Sequence, residues 1–212
     1  MKVCILVNGE IELSQRIKDL ISECNIIIAA DGGGNFSYSN NIKLDYLIGD
    51  FDSIRRDALE YYENTNTQIF SYPCDKDFTD TELCLNKALE VGADEIFYIG
   101  AIGDRIDHSL SNIHLLYKTL KKGVKSQILS KTADIFICND TLKIKGNIGE
   151  TISILPLLSP INGITLRGFK YLLNGESFEF GDVFGTCNIL ASEEATISIK
   201  EGCLLVIKQY NI

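Results

Sequence analysis

The 212-residue chain has no tryptophan, three prolines, one methionine and two histidines, His108 and His114. Two imidazoles do not build a histidine-rich metal centre, so any cation would be held by oxygen, which favours Mg2+, Ca2+ or Mn2+. Basic residues are also scarce. Twenty Lys and Arg against 29 Asp and Glu give a formal net charge of −9, which argues against nucleic acid as a partner, because phosphate backbones demand basic patches. No apolar run approaches the roughly 18 residues a membrane-spanning helix needs. The segment Met1 to Gly9 lacks the length and cleavage site of a signal peptide and reads as a buried first strand. The seven cysteines contain no CxxC pair, and several lie within apolar runs. They read as buried free thiols in a reducing cytoplasm, not as a disulfide framework or a zinc site. GxxxxGK[ST] is absent, which excludes a P-loop.

What is present is organised in two parts. Short apolar runs at Val3–Val7, Ile26–Ala30, Tyr46–Ile48, Ile69–Tyr72, Ile96–Ile99 and Gln127–Leu129 read as strands. Helical spacing separates them: Leu13, Ile17, Leu20, Ile21 and Cys24; then Ile54, Ala58 and Tyr62; then a helix opening at a Thr79/Glu82 capping box and stopping at Gly92. A further helix carries Leu110, Ile113, Leu116, Tyr117 and Leu120 and ends at Gly123. Strands alternating with helices predict an α/β domain over residues 1–131, with a mainly parallel sheet covered by helices on both faces. Over residues 132–212 the pattern becomes alternation, as in Leu142–Lys145, Thr151–Ile154 and Thr196–Lys200, and Cys203–Ile207 reads as a buried run. Turn signals at Asn162-Gly163, Asn174-Gly175 and Glu201-Gly202 divide these segments, which predicts an antiparallel β-sandwich or flattened barrel.

In an open parallel sheet, ligands bind beyond the carboxyl ends of the strands, and the unusual residues collect there. Strand two ends in Asp31-Gly32-Gly33-Gly34-Asn35 and strand three in Gly49-Asp50-Phe51-Asp52-Ser53. Strand four leads to Asp75-Lys76-Asp77-Phe78-Thr79-Asp80, and strand five to Gly100-Ala101-Ile102-Gly103-Asp104-Arg105-Ile106-Asp107-His108. Each piece has a structural reading: a flexible glycine turn, Asp50 and Asp52 capping a helix, helix-start charge at Asp77 and Asp80, an Arg105 salt bridge. Helix capping alone would not also place glycines beside the acids. If the chain is extended at Asp50-Phe51-Asp52, both carboxylates point to one side and repel unless a cation lies between them. Mg2+ binds one or two carboxylates together with substrate phosphates. The glycines would let backbone N–H groups approach phosphate oxygens, and Lys76 and Arg105 supply positive charge. The residues alone therefore predict a Mg2+-dependent enzyme acting on phosphate esters or nucleotides.

The series DGG, GDFDS, DKDFTD and GAIGDRIDH, followed by Asn112, resembles the thiamine pyrophosphokinase family across the whole α/β half. Gly168-Phe169-Lys170-Tyr171 is similar to the family's GLKY segment, and Gly185-Thr186-Cys187-Asn188 falls where the family has a small residue before Ser-Asn-Glu. The resemblance implies transfer of the terminal diphosphate of ATP to the hydroxyl of thiamine, on an α/β domain joined to a β-sandwich that binds thiamine and dimerises. It implies Asp50, Asp52 and Asp80 as Mg2+ ligands, with Asp31 in support. Gly32, Gly33, Lys76, Thr79, Gly103, Arg105 and His108 would surround the nucleotide. Asp52 and Asp80 would be candidates for taking the hydroxyl proton, and Asp107 with His108 would orient the phosphates and Arg105. Asp77, Asn112, Lys170, Cys187 and Asn188 would serve the acceptor, in a homodimer whose site the partner's β-domain completes. Cys187 stands where Ser is usual, Ile189 where Glu is usual and Leu172 where Pro often follows. The departures at 187–189 keep open a pterin or other hydroxymethyl acceptor; a non-catalytic nucleotide or thiamine sensor on the same fold is a separate alternative.

Overall fold

A computed structural model describes residues 1–75 and 77–210. They divide into two compact units, Met1–Lys131 and Thr132–Ile212. The first unit carries six parallel strands: β1 (Lys2–Leu6), β2 (Ile26–Ala30), β3 (Tyr46–Gly49), β4 (Gln68–Ser71), β5 (Glu95–Ile99) and β6 (Lys125–Leu129). Their spatial order is β4-β3-β2-β1-β5-β6. The chain therefore winds outward from β1 to β4, then crosses back to lay β5 against the other edge of β1. The break between β1 and β5 is the topological switch point, where a parallel sheet opens a crevice.

Val3, Cys4, Ile5 and Leu6 are all fully buried, as a strand covered on both faces requires. Cys4, Leu6, Ala29, Leu47 and Phe97 share one apolar layer with Ile17 and Ile21 of α1 (Gln15–Glu23) and Ala58 and Tyr62 of α3 (Arg56–Glu63). On the opposite face Tyr98 meets Thr119 of α5 (Ile106–Leu120), hydroxyl to hydroxyl at 3.2 Å. α4 (Asp80–Glu90) runs against β1, β2 and β3. Helices thus cover both faces, in agreement with the sequence expectation.

The periodicity left one helix unseen. α2 (Gly33–Ser39) begins directly after Asp31-Gly32, in a stretch rich in Gly, Ser and Asn that has poor helix propensity. Packing imposes it: Phe36 and Tyr38 join the core layer, and the Tyr62 hydroxyl donates to the Gly34 carbonyl at 3.1 Å. The expected capping box of α4 forms by half. The Thr79 hydroxyl accepts from the Glu82 N–H at 3.2 Å, while the Glu82 carboxylate turns to Lys118.

The second unit is antiparallel and organised by one 17-residue strand, β9 (Thr151–Arg167). Its first half pairs with β13 (Glu201–Gln209) and β11 (Asn188–Ile189). Its second half pairs with β12 (Glu194–Ser198) and β10 (Asn174–Phe178). β7 (Ala133–Cys138) extends the first layer beside β13, and β8 (Thr141–Lys145) extends the second beside β12. Ile152 and Ile154 from the first half meet Ile161, Ile164 and Leu166 from the second in one core, so β9 serves both layers of a sandwich. Asn162-Gly163, expected as a turn between segments, lies inside this strand, where Gly163 takes φ +71° and interrupts regular pairing without ending it. At one end of the unit Lys208 and Glu150, both largely buried, pair at 3.0 Å.

Close backbone approach sets the floor of the first unit. A Cβ on Gly33 would lie 2.2 Å from the Leu6 carbonyl oxygen, backbone that cannot retreat without unpairing the sheet. Gly33→Ala is expected to cost about 1–3 kcal/mol. Urea denaturation should show a lower midpoint at unchanged slope.

Candidate active site

A cavity of about 700 Å³ opens beyond the carboxyl ends of the parallel strands of the first unit. Its acidic side is built by three turns. Asp31 follows β2, Asp50 follows β3 and Asp80 begins α4, and carboxylate oxygens of these three lie within 4.8 Å of one another. Glycine makes the approach possible, since a Cβ on Gly49 would stand 2.8 Å from the Asp31 Cβ. The backbone is forced as well. Asp31 sits at φ +41° and Phe51 at φ +65°, a left-handed conformation that is costly for an aromatic residue.

That kink at Phe51 alters the expected metal set. The chain is not extended through Asp50-Phe51-Asp52, and the tight cluster groups Asp31 with Asp50 and Asp80. Asp52 stays on the cavity wall, exposed, with its carboxylate accepting the Ser53 hydroxyl at 2.7 Å. Asn35 on α2 fastens this turn by donating to the Ser53 carbonyl at 3.0 Å and accepting from the Arg55 N–H at 2.8 Å. One carboxylate oxygen of Asp31 accepts from the Ser53 N–H at 3.2 Å; the other is buried and has no partner among the described residues. Burial, reinforced by the nearby Asp52 and Asp80 charges, raises the Asp31 carboxyl above its ordinary range.

The opposite wall is the β5–α5 loop. Arg105 occupies the N-cap position of α5 and forks onto Asp107, at 2.6 Å and 3.3 Å. This hydrogen bond holds the Asp107 carboxyl below the usual carboxylate range. His108 faces the cavity, 3.9 Å from the same carboxylate. Two side chains of α5 clamp the loop from behind. Ser109 accepts from the Gly103 N–H at 3.1 Å and donates to the Gly103 carbonyl at 3.2 Å, while buried Asn112 donates to the Ala101 carbonyl at 2.8 Å. The Gly103 N–H, expected to face phosphate, is thus engaged within the protein, and Asn112 shapes the loop as well as lining the cavity.

Other expected site residues are placed as follows. Thr79 lines the cavity, with its hydroxyl used to cap α4, and Asp77 is exposed in the preceding loop. Lys76 lies outside the described residues. Gly32 and Gly33 open α2 beside Asp31. In the second unit, Lys170 is exposed with its ammonium 5.4 Å from the Tyr171 ring centre. Cys187 is exposed at φ +58°. Asn188 is buried and bonds the Tyr171 N–H at 3.1 Å, the Tyr171 carbonyl at 2.7 Å and the Ile189 N–H at 2.8 Å. Its carboxamide fixes the turn that presents Lys170 and Tyr171. Sequence reading missed Asn8, Gly9, Asn35 and Ser109. For the first two a signal existed: they follow β1, a strand end at the switch point, where the same rule applies.

Fold and site define an α/β protein with an acidic crevice at the switch point of its parallel sheet. The model of the thiamin pyrophosphokinase catalytic domain matches residues 17–128, and that of the thiamin pyrophosphokinase vitamin B1 binding domain matches residues 140–204. The thiamine pyrophosphokinase of Bacillus subtilis is 35% identical over 163 residues, covering 76% of each chain. A crystal structure of thiamine pyrophosphokinase from Bacillus subtilis superposes with a TM-score of 0.91 at 29% identity, covering both chains fully. That of the Geobacillus thermodenitrificans protein gives 0.85 at 25%, covering 100% of this chain and 98% of the other. The chain belongs to the thiamin pyrophosphokinase family and is an enzyme.

Because the Asp31 carboxyl is raised, its proton stabilises the fold below the unfolded pKa, near 4, and that contribution is lost as pH rises through the folded value. At pH 7 its charge works against the metal-free fold. Asp31→Asn is therefore expected to raise the metal-free melting temperature at pH 7, with the gain shrinking as pH falls through the raised folded value and gone below about pH 4. A divalent ion is expected to raise the melting temperature of the wild type and to leave that of Asp31→Asn unchanged.

Proposed function

We propose that the enzyme transfers the terminal diphosphate of ATP to the hydroxyl of thiamine, giving thiamine diphosphate and AMP, with Mg2+ as the divalent ion. The observation that carries this reading is the Asp31, Asp50 and Asp80 cluster facing Arg105 across one cavity, in a chain of this family. The cluster fits a hard cation, because it offers only oxygen and leaves a buried Asp31 oxygen without a partner among the described residues. Bound there, Mg2+ would neutralise phosphate charge.

The protein's own tasks are positioning and charge balance. Asp31, Asp50 and Asp80 would hold the ion. Arg105, kept in place by its fork to Asp107, would bind phosphate oxygens, with His108 beside it. The thiamine oxygen attacks the β-phosphorus, the bond from that phosphorus to the oxygen bridging the α-phosphorus breaks, and AMP leaves with the electron pair. The hydroxyl proton passes to Asp52, a carboxylate on the cavity wall outside the tight cluster. Asp52→Asn should lower kcat roughly 100- to 10,000-fold with nucleotide binding retained. AMP release from ATP and Mg2+ is to be compared for thiamine, a pterin alcohol and water. Release with thiamine alone is expected; release with the pterin alone, or with water alone, would overturn the acceptor.

The sandwich unit would supply Lys170 and Cys187 near thiamine from a second copy of the chain. Support comes from an exposed apolar surface on that unit: Phe180, Val183 and Phe184 are 79%, 65% and 61% exposed. Light scattering should give two copies of the 23.6 kDa chain, and Phe180→Asp with Val183→Asp should give one copy with little activity. The seven free cysteines suit a reducing cytoplasm. Among the described residues no helix is long and apolar enough to cross a membrane.

A further inference from the structure

Asn8 stands at the switch point, in the turn that leaves β1. That turn is stitched to the end of β5 by Val7 N–H to the Ile99 carbonyl and Gly9 N–H to the Gly100 carbonyl, both at 2.8 Å. Gly9 permits this, since a Cβ there would lie 2.3 Å from the Gly100 oxygen and 2.7 Å from the Ile102 oxygen. On its other side Asn8 meets Gly32. The backbone of Gly32 is ordinary right-handed helix, φ −56° and ψ −15°, open to any residue. What excludes a side chain is Asn8 itself: a Cβ on Gly32 would lie 2.3 to 2.4 Å from Cγ, Nδ2 and Oδ1 of its carboxamide. The glycine there makes room for an amide.

The amide so held is exposed, lines the cavity and makes no hydrogen bond among the described residues. Its neighbours in sequence and space set its task. Gly32 adjoins Asp31 of the acidic cluster, and Gly100 opens the loop that carries Arg105. A polyphosphate reaching from a cation on the first side to the guanidinium on the second passes the amide between them. We propose that Asn8 is a nucleotide-contacting residue, its Nδ2 donating to a phosphate oxygen of the diphosphate donor. The inference rests on the ATP-dependent reading above, and it places the residue ahead of the matched catalytic-domain segment, which starts at residue 17.

The test is calorimetric binding of a non-hydrolysable ATP analogue with Mg2+, with no acceptor present, to wild type, Asn8→Ala, Asn8→Asp, Gly32→Ala and the Asn8→Ala/Gly32→Ala double variant. Asn8→Ala should weaken binding roughly ten- to a hundredfold, the usual range for a hydrogen bond to a charged group, with an unchanged melting temperature. Asn8→Asp should weaken it further through repulsion. Gly32→Ala should weaken it comparably, because the new Cβ expels the carboxamide. The double variant should bind no worse than Asn8→Ala, since removing the amide makes room for the Cβ. Wild-type affinity in Asn8→Ala, or a double variant with the two losses multiplied, would overturn the inference while leaving the reaction intact. A wild type that binds no analogue would overturn the ATP-dependent reading and this inference together.

Discussion

Three carboxylates held within 4.8 Å of one another at the end of a buried sheet are the constraint on which the site depends. At an effective dielectric of 20, each pair of unit charges about 4 Å apart repels by about 4 kcal/mol. The fold meets that cost with geometry. Gly49 clears the way for Asp31, Asp31 and Phe51 take left-handed backbone, and Asn35 and the Ser53 N–H tie the β3 turn down. Without those restraints the turn would relax and the acids would move apart toward water. A divalent ion held among the three carboxylates would offset that repulsion.

The rest of the cavity is arranged to complement that negative pole. Winding outward from β1 and then back to β5 brings the acidic turns to one side of the switch point and the Arg105 loop to the other. Such a separation of charge suits a ligand that is anionic and long enough to need both a cation and a guanidinium. The loop on the Arg105 side owes its shape to α5, whose Ser109 and Asn112 grip Gly103 and Ala101 from one face of the helix. Helix and loop are therefore joined by hydrogen bonds at two points ahead of Arg105. In the second unit Asn188 plays the same part for Tyr171, using a buried carboxamide to hold a turn that carries an exposed lysine.

Much was legible in the order of residues. Fully apolar runs gave the parallel strands, because a strand covered on both faces has no polar side to show. Helical spacing gave α1, α3, α4 and α5, and the change to alternation after Lys131 gave the antiparallel half. The acids at the strand ends pointed to a cation and phosphate. What periodicity missed was α2, whose Gly, Ser and Asn content hides a helix that only packing against Tyr62 sustains, and the length of β9, where Gly163 bends a strand that reads as broken.

The sequence by itself determined which chemical groups gather at the carboxyl edge of the sheet, since strand ends and acids are both written locally. Only the tertiary structure decided which acids meet. Local spacing favoured Asp50 with Asp52, and pairing of β2 with β3 also brings Asp31, nineteen positions before Asp50, into the tight cluster. It likewise decided that the Gly103 N–H is taken by Ser109, and that Gly32 is glycine because of Asn8. Each of these depends on how close two distant stretches of backbone come, and that distance is set by strand pairing and core packing.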